Sequence, residues 1–94
     1  MGKAVLDFTD CKYLLEMHER IAAALQFPAY YGRNWDAFWD SLIYESPVDY
    51  VEICGEHTMA ENLRPSLDKM HEILEKVKQR RKELGWQFDY KIID

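Results

Sequence analysis

Cysteine is scarce: Cys11 and Cys54 are the only two, and neither stands in a CxxC or metal-ligand spacing. That excludes a disulfide framework, and both thiols read as small buried or half-buried side chains rather than as a redox pair. A basic-then-apolar leader is missing at the start. No apolar run approaches the roughly 20 residues that cross a bilayer as a helix. These absences point to a cytoplasmic protein without a membrane role. No internal repeat, low-complexity tract or linker interrupts the 94 residues, so a single domain over residues 1–94 is expected. With 48% hydrophobic and 14% aromatic residues it has the material to fold without staples. Basic charge is also short where acid is plentiful. Residues 1–63 hold four basic and eleven acidic side chains, net −7, whereas residues 64–94 hold eight and six, net +2. A surface so acidic repels nucleic acid and suits a basic protein partner, whose approach it accelerates.

What the chain does contain alternates strand and helix signals. Residues 3–8 are short and apolar and run into Thr9 and Asp10, an opening strand followed by a helix cap. Over residues 11–25, Leu14, His18, Ile21 and Leu25, joined by Leu15 and Ala22, recur at helical spacing and give one buried face. His18 lies by that stripe with no second His or Cys at i+4, which favours a satisfied, semi-buried side chain over a ligand or base. Residues 48–54 alternate as a second strand ended by Gly55. Residues 57–63 read as a short helix or as irregular chain. Pro65 fits the first turn of a long helix to about Leu84, with Leu67, Met70, Ile73, Leu74, Val77 and Leu84 inward and Gly85 as its stop. Residues 86–93 alternate as a last strand, with Trp86, Phe88, Tyr90 and Ile92 on one side. Strands joined by helical crossovers of this length pair in parallel, so the fold class is α/β, a three-stranded parallel sheet packed with three to four helices.

The densest information lies in residues 27–44. Pro28 and Gly32 punctuate a loop, Gly32 being read as a backbone conformation that a side chain would hinder. Asn34 is a good N-cap, so a helix should begin at Trp35. Trp35, Phe38, Trp39 and Leu42 then form an apolar stripe, while Asp36 and Asp40 fall together on its flank, beside Trp39 and Ile43. Like charges one turn apart cost a few tenths of a kcal/mol, and the dipole relieves only Asp36, in the first turn. As an enzyme site the pair needs a third ligand or a cleft, and the sequence offers neither, nor a metal or cofactor motif. Acids among exposed aromatics, with at least one of Tyr30 and Tyr31 displayed beside them, have instead the composition of a binding hot spot. A second candidate, nucleic-acid binding through Lys76, Lys78, Arg80, Arg81 and Lys82, has no aromatic platform interleaved with it, and cations at a helix C-terminus normally form a solvated face.

The central pattern, Tyr30-Tyr31-Gly32-x-Asn34-x-Asp36-Ala37-x-Trp39-Asp40-x-Leu42, resembles the signature of the barstar family, small intracellular inhibitors of secreted ribonucleases. Weaker similarity runs through the opening strand, helix one, Pro28, Pro47 and Gly85. The resemblance implies a three-stranded parallel sheet with four helices. It also implies inhibition by occlusion, in which the second helix and the loop before it plug the cleft of a basic ribonuclease and Asp40 takes the place of a substrate phosphate. Carried over residue by residue, Tyr30, Asp36, Trp39 and Asp40 are contacts, Gly32, Asn34 and Ala37 shape or line the loop and helix start, and Tyr31 and Ile43 complete the partner-binding set. The implied partner is a basic extracellular-type ribonuclease or ribonuclease toxin domain, bound one to one by a chain that is monomeric when free. Ile43, Glu45 and Arg80 depart from the familiar residues, and bear on which ribonuclease is bound.

Overall fold

In a computed structural model, residues 2–93 are described, and they form the expected α/β fold. Strands β1 (Lys3–Asp7), β2 (Tyr50–Cys54) and β3 (Asp89–Ile92) make a parallel sheet in the order β1-β2-β3. The register sets Ala4 against Val51 and Leu6 against Ile53, and these four side chains are buried together on one face. The other face is open, which explains an alternation unusual for a parallel sheet, whose strands are normally covered on both sides. There Lys3 pairs with Glu52 at 3.2 Å.

Helices α1 (Leu14–Leu25), α2 (Trp35–Tyr44) and α3 (Arg64–Glu83) supply the rest of the core. Met17, Ile21 and Leu25 of α1, Phe38 and Leu42 of α2, and Leu67, Met70, Leu74 and Val77 of α3 join the inner face of the sheet in one apolar cluster. Where the family resemblance implies a fourth helix, the chain has two single 3-10 turns, Glu56–Thr58 and Glu61–Leu63.

Three boundaries differ from the sequence reading. Helix α1 starts at Leu14, not at residue 11, because the preceding segment is committed elsewhere. Asp10 takes a left-handed φ of 59°, its amide donates to Thr58 Oγ1, and the Cys11 carbonyl accepts from the Ala60 amide. Leu14 and Leu15 in the first turn are consequently exposed, and the buried stripe is Met17, His18, Ile21 and Leu25. Strand β2 begins two residues late, because the amides of Asp49 and Tyr50 both donate to the Gly2 carbonyl. Strand β3 is short because Gly85 and Trp86 complete the cap of α3. Gly85 has φ 78°, its amide donates to the Lys82 carbonyl, and the Trp86 amide donates to that of Arg81, a Schellman closure. Phe88 is buried as expected, whereas Trp86 and Ile92 are exposed.

Candidate functional site

The site is built on α2, and α2 is built on its first residue. Asn34 Oδ1 accepts from the Ala37 amide at 2.8 Å, and Nδ2 donates to the Gly32 carbonyl at 3.1 Å. One side chain thus satisfies a helix-end donor and ties the loop to the helix. The left-handed residue of this loop is Arg33, with φ 51°, not Gly32. Gly32 leaves room for the cap instead: a Cβ there would stand 3.1 Å from Asn34 Nδ2 and 3.4 Å from the Ala37 Cβ, crowding both.

Beneath the loop lies an aromatic anchor. The Tyr31 ring is 4.9 Å from Phe27, and Trp35 lies 4.5 Å from His18 and 5.4 Å from Phe38. The Tyr31 hydroxyl and His18 Nδ1 are hydrogen-bonded at 2.8 Å, and His18 is 2% exposed. Burial lowers the imidazole's pKa and raises that of the phenol. His18 is therefore the satisfied, structural side chain that its lack of partners at ligand spacing suggested. At the far end of α2, Ser46 Oγ donates to the Leu25 carbonyl at 2.5 Å and fixes the helix to the end of α1. The helix also packs on α3.

Two residues of the expected partner-binding set point inward. Tyr31 is 8% exposed and Ile43 4%, because the first anchors the loop and the second falls on the buried arc with Phe38 and Leu42. Their side chains are core rather than surface. What remains outward is a continuous set. Tyr30 is 74% exposed, Gly32, Asn34, Asp36 and Asp40 are exposed, and Ala37 and Trp39 are half-buried. Asp36, Asp40 and Tyr44 succeed one another at i, i+4 and i+8 along one edge of the helix.

Charge sharpens the picture. Among the described residues, ion pairs engage Glu16, Glu19, Glu52, Glu72, Glu83 and Asp89. Neither Asp36 nor Asp40 has such a partner, and a cation is also absent from the last turn of α2. A shallow groove between α2 and α3, lined by Trp35, Asp36, Trp39, Lys69, Ile73 and Lys76, borders the edge but leaves Asp40 outside. Among the described residues no three His, Cys, Asp or Glu side chains converge as a metal site. The arrangement presents acceptor oxygens beside aromatic surface, on an exposed helix edge whose opposite side is packed into the core.

The basic run on α3 is not the free cationic face considered from sequence. Lys76 pairs with Glu72, Lys78 with Asp89 and Arg80 with Glu83. Arg81 turns inward at 9% exposure, donates from Nη1 to the Val48 carbonyl at 2.9 Å, and lies 5.3 Å from the Phe88 ring centre. Beyond the end of the run, Trp86 shares a groove with Lys78 and Lys82. That ring is engaged edge-on by Tyr44 at 6.5 Å.

Sequence reasoning missed one link at the site. The Tyr30 hydroxyl donates to Glu45 Oε2 at 2.6 Å across 15 residues of chain. No local pattern signals such a contact.

A three-stranded parallel sheet with a capped, acid-edged second helix gives a small α/β fold of the kind the sequence resembles. Comparison with known proteins agrees. The family model described as Barstar (barnase inhibitor) matches residues 1–92, and the chain belongs to that family. The Bacillus subtilis (strain 168) protein named "Putative ribonuclease inhibitor YrdF" is 43% identical over 42 residues. That match covers 45% of this chain and 46% of the relative, so the chain aligns with about half of the relative's length. No helix among the described residues is long and apolar enough to cross a membrane.

Proposed function

We propose that this chain is a protein inhibitor of a basic ribonuclease, an immunity protein that closes the enzyme's active site with the loop and helix around residues 30–44. The observation that carries the reading is the exposed, unpaired pair Asp36 and Asp40 on a helix whose opposite side is locked into the core. A ribonuclease cleft is lined with arginine, lysine or histidine to hold phosphate. A carboxylate offers those donors charged acceptor oxygens in similar geometry. Asp40, beside half-buried Trp39, is the phosphate mimic, Asp36 extends the negative edge, and Tyr30 supplies aromatic contact area. Family membership and the relative's printed name support this assignment. The chain acts by binding, in a one-to-one complex formed by a free monomer in the cytoplasm of its producer, and carries out no catalysis.

Titration of a panel of basic ribonucleases, beginning with barnase, tests the proposal. RNA cleavage should fall to zero near equimolar inhibitor. Asp40→Ala should weaken inhibition about a hundredfold or more, since removing one partner of a desolvated ion pair costs about 3–5 kcal/mol. Glu61→Ala, remote from the edge, should leave it unchanged. Equal effects of the two substitutions would remove Asp40 from its role.

A further inference from the structure

Glu45 is placed against local electrostatics. It is the C-terminal cap residue of α2, where the helix dipole disfavours an anion, and the last turn of the helix holds no basic residue to offset it. Among the described residues it forms no ion pair. Its carboxylate does accept the Tyr30 hydroxyl through Oε2 at 2.6 Å. Tyr30 is the most exposed of the large apolar or aromatic side chains. With the ring 74% exposed, core packing does little to select its rotamer, and this charge-assisted bond restrains it. The same bond, the largest influence on that phenol, raises its pKa.

We infer that Glu45 is the positioning residue for Tyr30 on the proposed inhibitor surface, and that its carboxylate favours a partner presenting a cationic side chain at the C-terminal end of α2. The inference rests on the inhibitor reading above. Tying Tyr30 to the helix end removes the entropy that binding would otherwise cost for that side chain. A bidentate carboxylate leaves Oε1 to accept from an arginine or lysine that approaches the rim. A partner with an acid at that point meets an uncompensated like charge instead.

The test is a double-mutant cycle on binding to the ribonuclease that the wild-type chain inhibits, with affinities for Tyr30→Phe, Glu45→Ala and the double variant. Each single change should weaken binding roughly two- to tenfold, the range for leaving one interface side chain unfixed. The double variant should be no weaker than the worse single one. Glu45→Gln, which keeps an acceptor but removes the charge, should retain the order of Tyr30, seen as a single set of χ1 couplings by NMR of the free protein, yet lose part of the salt dependence of binding. Additive losses, or an unchanged affinity for Glu45→Ala, would overturn the inference while leaving the inhibitor reading intact. Absence of binding by the wild-type chain to any ribonuclease would instead overturn both.

Discussion

His18 and Tyr31 show how single side chains set the platform on which the outward residues stand. The imidazole sits 2% exposed, holds the Tyr31 hydroxyl at 2.8 Å and touches Trp35, so the loop and the start of α2 share one buried support. Because burial lowers the His18 pKa below the ordinary histidine value of about 6.5, the folded state keeps the ring neutral where the unfolded chain takes up a proton. Stability from this site is therefore present above about pH 6.5 and declines as pH falls below it toward the folded-state value. Urea unfolding at pH 7 and pH 5 checks this. The wild-type midpoint should drop on acidification and that of His18→Gln should drop less; equal drops would contradict it. The carboxylates whose pKa values are lowered by hydrogen bonds, Asp7, Glu16, Glu72 and Asp89, stay ionised across that window and lose their share only in stronger acid.

Helix α2 carries the outward acids, and its N-terminal cap rests on one side chain, Asn34. Asn34→Ala removes both the Ala37 and the Gly32 hydrogen bonds. It should cost about 1 kcal/mol, roughly 4–8 °C in melting temperature for a domain of this size, measurable by calorimetry. A melting temperature equal to the wild type would show the cap to be dispensable. This helix was legible in the sequence because everything that defines it is local: a capping residue, a glycine two positions earlier, and a 3.6-residue stripe from Trp35 to Leu42. The long helix and its glycine stop were legible for the same reason. What escaped reading depends on distant chain. Residues 11–13 carry helix-compatible side chains, yet the Ala60 amide claims the Cys11 carbonyl and delays α1. Arg81 looks like one more surface cation until Val48, 33 residues away, accepts its guanidinium. Tyr31 stood in the family motif and Ile43 beside Asp40 on the helix, but their burial depends on His18 and on the packing behind α2, and Glu45 is tied to the site through Tyr30.

For the molecule as a whole, charge and shape divide the labour. The acid-rich first two thirds, net −7, include two exposed acids on the edge of α2, Asp36 and Asp40, without an ion-pair partner among the described residues, whereas the basic helix α3 spends most of its cations on its own neighbours. Helix α2 is packed against α3 and presents Asp36 and Asp40 outward, and on the proposed reading that acid edge would be drawn toward a positive cleft. Occlusion of a phosphate site has one signature that mere surface binding lacks: it must compete with a nucleotide. The decisive measurement is calorimetric titration of this chain into its target ribonuclease with and without a saturating active-site mononucleotide. Apparent affinity should fall in proportion to nucleotide concentration. An affinity indifferent to the nucleotide would contradict it, because Asp40 would then lie outside the phosphate site.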